Sequence, residues 1–334
     1  MGAMYFNELH CSDGCVLSVD MLTVNGKFYG RAEDVQVRFW VLVRPAIFID
    51  YVEWISYKLG SYRYQYTVTC LNGCSFWFGI GFNSPDAPFP ETCNKWRIEF
   101  NPNKVFTEYL FLKTFLSFIQ LSKHIEIKRF DLAIDYPVER KSCFLVKDGR
   151  TYSEYMNSLE DRTQNLGQHS HHGYVKLYNK QIESKLPIPL TRLEITMDFL
   201  KSNYDEFQRI FPKVYVVESF QMKLDEHKLS DTDKFILFTC LDNPTSVKLL
   251  CRIKRKKIES IMSQYSRFLK IDRKDYMSIL NQISNFVKPS FLFQYFPDCK
   301  EIPKLNEFYV MGDFVDDFTE DEIAVIFGNR KGGD

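Results

Sequence analysis

Between Trp96 and Asp198, four short segments alternate apolar and polar residues with a period of two, and this limits the possible folds more than any other feature. Successive side chains of a strand point to opposite faces, so each segment reads as a strand with one core face and one outward face. In Arg97-Ile98-Glu99-Phe100-Asn101 the apolar pair is Ile98 and Phe100. In Arg129 to Tyr136, Phe130, Leu132 and Ile134 share one face, and Arg129, Asp131 and Asp135 the other. In Tyr174 to Lys180, Val175 and Leu177 oppose Tyr174, Lys176, Tyr178 and Lys180. In Arg192 to Met197, Leu193, Ile195 and Met197 oppose Arg192, Glu194 and Thr196.

The outward faces carry Glu99, Asp131, Asp135 and Glu194 beside two tyrosines and several bases. Carboxylates crowded on one sheet face repel one another. A bound divalent cation relieves that repulsion, and hard oxygen ligands suit Mg²⁺ or Mn²⁺. A tyrosine beside such an ion is a candidate nucleophile; its phenol, with a pKa near ~10, needs a nearby base or cation to attack at neutral pH. Lys180 shares the face of Tyr178 and could supply the charge. Four amphipathic strands with ordinary charged outer faces would show the same pattern, because strand order is not visible in a sequence.

The rest of the chain is expected to be α+β: an antiparallel sheet core with helices packed on one face, followed by a mainly helical C-terminal region. Residues 1–200 are assigned to the sheet domain and 201–334 to the helical one. The 30 Phe and 19 Tyr among 334 residues favour strands. Val16 to Val24 reads as a strand ending in a turn at Asn25-Gly26, and Tyr62 to Cys70 with Ser75 to Phe82 as a hairpin turning at Asn72-Gly73. Helices are expected over Ile47 to Lys58 and Val105 to Lys123, then over about 202–211, 245–268 and 273–287.

No stretch resembles a signal peptide and no window of ~20 residues is apolar enough to span a membrane. With nine scattered cysteines, this gives the expectation of a cytoplasmic protein with reduced thiols and no membrane partner. Cys11/Cys15 and Cys70/Cys74 read as turns rather than zinc sites. His169-Ser-His-His172, between Gly167 and Gly173, reads as a hairpin loop.

The net charge is zero, so any contact with nucleic acid must come from local patches. The densest is Lys248, Arg252, Lys254, Arg255, Lys256 and Lys257, on a helix whose Leu249, Leu250, Ile253, Ile258 and Ile261 are expected to face a core. Gly312 to Glu322 is acidic and reads as a solvated tail.

Four ordered stretches carry a family resemblance: Arg97-Ile-Glu-Phe-Asn-Pro-Asn-Lys104, Arg129-Phe-Asp-Leu-Ala-Ile-Asp135, Tyr178-Asn-Lys180 with Glu183, and Arg192-Leu-Glu-Ile195, with a weaker match at Leu17 to Val24. They resemble the replication initiators of rolling-circle plasmids of Gram-positive bacteria, the Rep_trans or replication initiation factor family. The resemblance spans roughly residues 15–200. It implies that Tyr178 attacks a phosphodiester at a double-strand origin, joins the 5′ phosphate and frees a 3′ hydroxyl. It also implies that Asp131, Asp135, Glu99 and Glu194 hold the divalent metal, that origin specificity lies in the C-terminal part, and that the protein works as a homodimer with a host superfamily-one helicase. Lys176 and the basic run are then DNA contacts. The preference for Tyr178 over Tyr174 rests on this resemblance. The chain departs from it at Thr163-Gln-Asn-Leu-Gly167, where family members carry an aromatic-rich strand. Three other readings remain open. A relaxase acting at a transfer origin shares the chemistry. A non-catalytic DNA-binding protein would give no tyrosine adduct. A metal-dependent nuclease using water would give none either.

Overall fold

A computed structural model describes residues 8–11, 14–29, 53–56, 62–70, 73–82, 94–105, 109–158, 160–217, 229–242 and 244–288. The strands of the first part are β1 (Leu9–His10), β2 (Val16–Phe28), β3 (Glu53–Ser56), β4 (Tyr62–Thr69), β5 (Ser75–Phe82), β6 (Lys95–Phe100) and β7 (Ser122–Tyr136). Those that follow are β8 (Cys143–Leu145), β9 (Tyr152–Met156), β10 (Arg162–Leu166), β11 (Val175–Asn179), β12 (Thr191–Asp198), β13 (Val214–Val217) and β14 (Ser266–Phe268). The helices are α1 (Pro102–Val105), α2 (Tyr109–Gln120), α3 (Lys180–Ser184), α4 (Tyr204–Ile210), α5 (Asp231–Asp242), α6 (Arg252–Tyr265) and α7 (Arg273–Phe286). Two compact units divide the described residues: one holds those of Met21–Lys128 and the chain from Gln282, the other those of Asn7–Asp20 and Arg129–Asn281. Both are built on antiparallel sheet with helices, the expected α+β class.

In the first unit β3, β4, β5 and β6 form an antiparallel meander, and β6 pairs with Leu22 to Lys27 of β2. The β4–β5 hairpin is the one its alternation predicts. The Cys70 N–H donates to the Cys74 carbonyl at 2.8 Å, and Gly73 takes a positive φ of 78° in the turn. Helix α2 covers this sheet with Phe111, Phe115 and Phe118, all fully buried. Phe111 lies 4.6 Å from Phe100 and 5.2 Å from Phe76, and Phe118 lies 5.6 Å from Phe78. Each such ring removes enough apolar area from water to contribute about 1.5–3 kcal/mol. Much of the aromatic content is therefore core.

Two segments fold otherwise than their local sequence suggests. Glu53–Ser56 is a strand paired with β4, where a helix over Ile47 to Lys58 was expected; the remainder of that span lies outside the described residues. Its apolar run is short, and short runs do not distinguish helix from strand by period. Asn25-Gly26 is no turn either: β2 continues through it to Phe28. Gly26 sits opposite Trp96 because a Cβ there would lie 2.4 Å from the indole ring, so the glycine serves a cross-strand approach. The indole is fixed by its N–H donating to Ser122 Oγ at 2.6 Å.

In the second unit, the Arg129–Tyr136 part of β7 pairs with β12, β12 with β11, β11 with β10 and β10 with β9, all antiparallel. β1 pairs with the start of β2 through a turn closed by Cys11 N–H to the Cys15 carbonyl. β8, β13 and β14 make a small separate sheet. Arg140 is 2% exposed and holds these pieces together. Its guanidinium donates to the carbonyls of Arg162 (2.9 Å) and Cys143 (2.5 Å) and to Gln164 Oε1 (2.8 Å). Burial pulls its pKa down to about 10, so it remains charged at neutral pH.

The C-terminal described residues are mainly helical, with differences from the expected pattern. Helix α5 was not anticipated, because Phe235, Ile236, Leu237, Phe238 and Cys240 leave no clean stripe. The expected helix over 245–268 is three pieces: a 3-10 turn at Pro244–Leu249, α6, and β14. Ile258, Ile261 and Met262 pack with Leu237, Cys240 and Val247 as a small core. Leu249 and Ile253, expected to join it, are instead 86% and 83% exposed.

Gly26→Ala is expected to destabilise the protein by about 1–3 kcal/mol, because the ring it meets is held by Ser122 and cannot yield cheaply. Urea unfolding of the pair of proteins measures this; an unchanged midpoint would contradict the packing described.

Candidate active site

The register of β7, β12 and β11 builds the site. Arg192 stands between Asp135 and Tyr178, and Glu194 between Ala133 and Lys176. Directly opposed residues share a face. Asp131, Asp135, Arg192, Glu194, Lys176 and Tyr178 therefore lie on one face of three adjacent strands. Ala133 has the smallest side chain of the set.

Arg192 is the centre of the charge network. Its Nε and Nη2 donate to both oxygens of Asp135 at 2.6 and 2.7 Å, and its Nη1 donates to Asp20 Oδ1 at 2.8 Å. Burial acts to lower its pKa, but the hydrogen bonds and charge of Asp135, with the charge of Asp20, outweigh that and hold it above the ordinary value. Asp20, on β2, was not singled out in the sequence. Its only signal was its place in the weaker match from Leu17 to Val24.

Tyr178 is 5% exposed and donates its hydroxyl to Glu194 Oε1 at 2.5 Å. Burial and the adjacent Glu194 charge push the phenol well above its usual range, with Arg192 opposing weakly. Burial and the charge of Asp20 also push the Glu194 carboxyl up. The pair thus keeps the proton on oxygen while making Glu194 a stronger base than an ordinary carboxylate. Lys176 Nζ lies 4.1 Å from the centroid of the Tyr178 ring and Lys180 Nζ 5.8 Å. Lys180 is ion-paired with Glu183, so Lys176 is the nearer cation.

Tyr174 shares the strand face but not this chemistry. Its hydroxyl donates to Asn165 Oδ1 at 2.9 Å, an amide that is no base. Burial, then Glu194 and Asp131, raise its pKa too. Asn179, between Tyr178 and Lys180, caps α3 by accepting from the Ile182 N–H at 3.0 Å and donates to the Glu160 carbonyl at 2.8 Å. That fixes the end of the strand that carries Tyr178.

The four acids expected to hold a metal are not arranged alike. Asp131, Asp135 and Glu194 lie on the face just described. Glu99 belongs to the other unit, where its carboxylate pairs with Arg97 and accepts from Thr23 Oγ1 at 3.5 Å. Both oxygens of Asp135 are occupied by Arg192, and Glu194 carries the phenol. Among the described residues no group of three His, Cys, Asp or Glu side chains is placed to hold an ion by itself.

The histidine loop is the expected hairpin connection, with Gly167, Ser170 and Gly173 at positive φ. His172 Nδ1 accepts from the Asp198 N–H at 3.0 Å and its Nε2 lies 2.9 Å from Glu206 Oε1, so it ties the loop to β12 and α4. In the basic run, Arg255 donates to the carbonyls of Val247, Lys248 and Leu250, and Lys257 pairs with Asp233 at 2.5 Å. Arg252, Lys254 and Lys256 are exposed.

A carboxyl whose folded pKa is raised favours the folded state below its ordinary pKa of ~4.3 and loses that contribution as pH rises through the folded value. Glu194→Gln is therefore expected to be at least as stable as the parent near neutral pH, with any gain shrinking towards about pH 4. Urea midpoints across that range check the sign; a variant clearly less stable at neutral pH would contradict it.

No protein-family model matches the sequence, and no curated protein does. A solved structure that the chain resembles is described as the rolling circle replication initiator protein from Geobacillus stearothermophilus, at 12% identity and a TM-score of 0.33, covering 81% of this chain and 97% of that one. Among the described residues no helix is long and apolar enough to cross a membrane.

Proposed function

We propose that the protein is a replication initiator that nicks and rejoins one DNA strand at a plasmid double-strand origin, starting rolling-circle replication. The observation that carries this reading is the hydrogen bond from the Tyr178 hydroxyl to Glu194, beside Lys176. A tyrosine held against a carboxylate base and beside a lysine supports a nucleophilic role. The ordered resemblance of the four strand segments to Rep_trans initiators supports the biological setting.

In the proposed reaction Tyr178 Oη attacks the scissile phosphorus while its proton passes to Glu194. The new O–P bond forms as the bond to the 3′ oxygen breaks, and that oxygen leaves and takes a proton from water, while Glu194 gives its proton back to solvent. The products are a 5′-phosphotyrosine and a 3′ hydroxyl. Reversal rejoins the strand without ATP, because the ester bond is exchanged and not hydrolysed.

Electrostatics sets the main obstacle. Asp20, Asp131, Asp135, Glu183 and Glu194 face or flank three cations, Lys176, Lys180 and Arg192, so a phosphodiester enters a region already rich in negative charge. Lys176 is placed to meet it. A Mg²⁺ or Mn²⁺ held by Asp131 and the second oxygen of Glu194 would neutralise charge on the phosphate. With no three-acid cage among the described residues, further ligands would come from the DNA and solvent. Asp135 is better read as the partner of Arg192 than as a metal ligand. Origin contacts are proposed for Arg252, Lys254 and Lys256; a homodimer and a host superfamily-one helicase complete the proposal. A relaxase with the same chemistry is distinguished by a transfer-origin substrate.

Supercoiled plasmid carrying the origin, incubated with protein and Mg²⁺ or Mn²⁺, is expected to yield open circles. Tyr178→Phe should yield none. Glu194→Gln should bind DNA normally and nick about 10²–10⁴-fold more slowly. EDTA should stop the reaction. Nicking by Tyr178→Phe at the parental rate overturns the proposal.

A further inference from the structure

The helical layer around α6 has an exposed face that its own core does not explain. Ile258, Ile261 and Met262 define the buried side of α6. At ~100° per residue, Arg252, Ile253 and Lys256 fall together on the opposite side. Ile253 is 83% exposed, and Leu249, just before the helix, is 86% exposed next to exposed Lys248. Single exposed aliphatics are ordinary on proteins. Two large ones, each beside cations that no carboxylate among the described residues pairs, are not explained by that. The neighbouring cations Arg255 and Lys257 do have partners, the carbonyls of Val247, Lys248 and Leu250 for the first and Asp233 for the second. Lys248, Arg252 and Lys256 are left as exposed cations flanking Leu249 and Ile253 along the chain.

A protein partner would cover such aliphatics best through a continuous apolar patch, with charge displaced to its rim. Here the cations stand immediately beside the aliphatics. That combination suits duplex DNA, where phosphates take the cations and an apolar side chain enters an opened base step. We propose that Leu249 and Ile253 form a wedge that unstacks a base step of duplex DNA whose phosphates are held by Lys248, Arg252 and Lys256. This rests on the DNA-binding part of the proposed function, and not on the Tyr178 chemistry. A strand-nicking protein acting on a duplex gains from such a device, because a locally opened duplex presents single-stranded phosphodiesters.

The test uses the full chain and a duplex of about 30 base pairs with central TA steps, which unstack most easily, carrying 2-aminopurine in place of one adenine. Binding by the parent protein should raise the 2-aminopurine fluorescence. Leu249→Ala with Ile253→Ala, two exposed changes to a good helix former, should abolish the rise while lowering affinity by less than about tenfold and leaving the salt dependence unchanged. Arg252→Ala with Lys256→Ala should instead flatten the slope of log K against log salt by about 2. No fluorescence rise with the parent, or an equal rise with the double aliphatic variant, overturns the proposal. So does a change of sedimentation state in that variant with fluorescence intact, which would assign the patch to a second copy of the chain. Tyr178→Phe should keep the rise; if plasmid nicking fails while the rise persists, only the nicking reading is lost.

Discussion

The guanidinium of Arg192 holds two carboxylates at once, and the geometry of the site depends on that contact. Asp135 lies across the strand pair from Arg192, and Asp20 comes from β2. Breaking a buried pair of this kind by removing one partner leaves an uncompensated charge and typically costs about 3–5 kcal/mol. The pair therefore resists any shift of β12 against β7. A slip of one residue would also send every side chain of β12 to the opposite face. Holding that register puts Glu194 under Tyr178 and Lys176, because β11 is read from β12 in the same way.

Within this frame Arg192 also decides which acid is left to act. It satisfies Asp135 and Asp20, whereas Glu194 receives a neutral phenol. Burial and the nearby Asp20 carboxylate make Glu194 a stronger base than an ordinary carboxylate. The same burial that makes Glu194 basic also makes Tyr178 hard to ionise. Of the two lysines beside the ring, Lys176 is the nearer, and Lys180 is bound to Glu183 within α3.

Much of this fold could be read from the sequence, and the limits have physical causes. The β4–β5 hairpin and the strands carrying Asp131, Tyr178 and Glu194 were legible because half-buried strands impose a period of two. α2 was legible because its aromatic stripe repeats at helical spacing. Pairing order was not legible, so Arg192 could not be seen as the counterion of Asp135 and Asp20. Asn25-Gly26 misled because the pair is a strong turn signal when judged locally; Gly26 answers to Trp96, seventy residues away in sequence. α5 was missed because apolar residues surround it, and Ile253 was placed inside because helical spacing alone does not say which side of a helix meets the core. The choice between Tyr174 and Tyr178, which only resemblance could make from sequence, gains a physical basis in the partner each hydroxyl keeps: an amide in one case, a carboxylate in the other.

In the proposed reaction Tyr178 Oη is the atom that becomes joined to DNA. A suicide oligonucleotide, nicked in a short 5′ arm that diffuses away, traps the covalent intermediate, and peptide mass spectrometry then locates the adduct. The account predicts a phosphodiester link on the peptide containing Tyr178, formed by the parent protein and greatly slowed in Glu194→Gln. An adduct on Tyr174, or cleavage without any protein–DNA adduct, would contradict it.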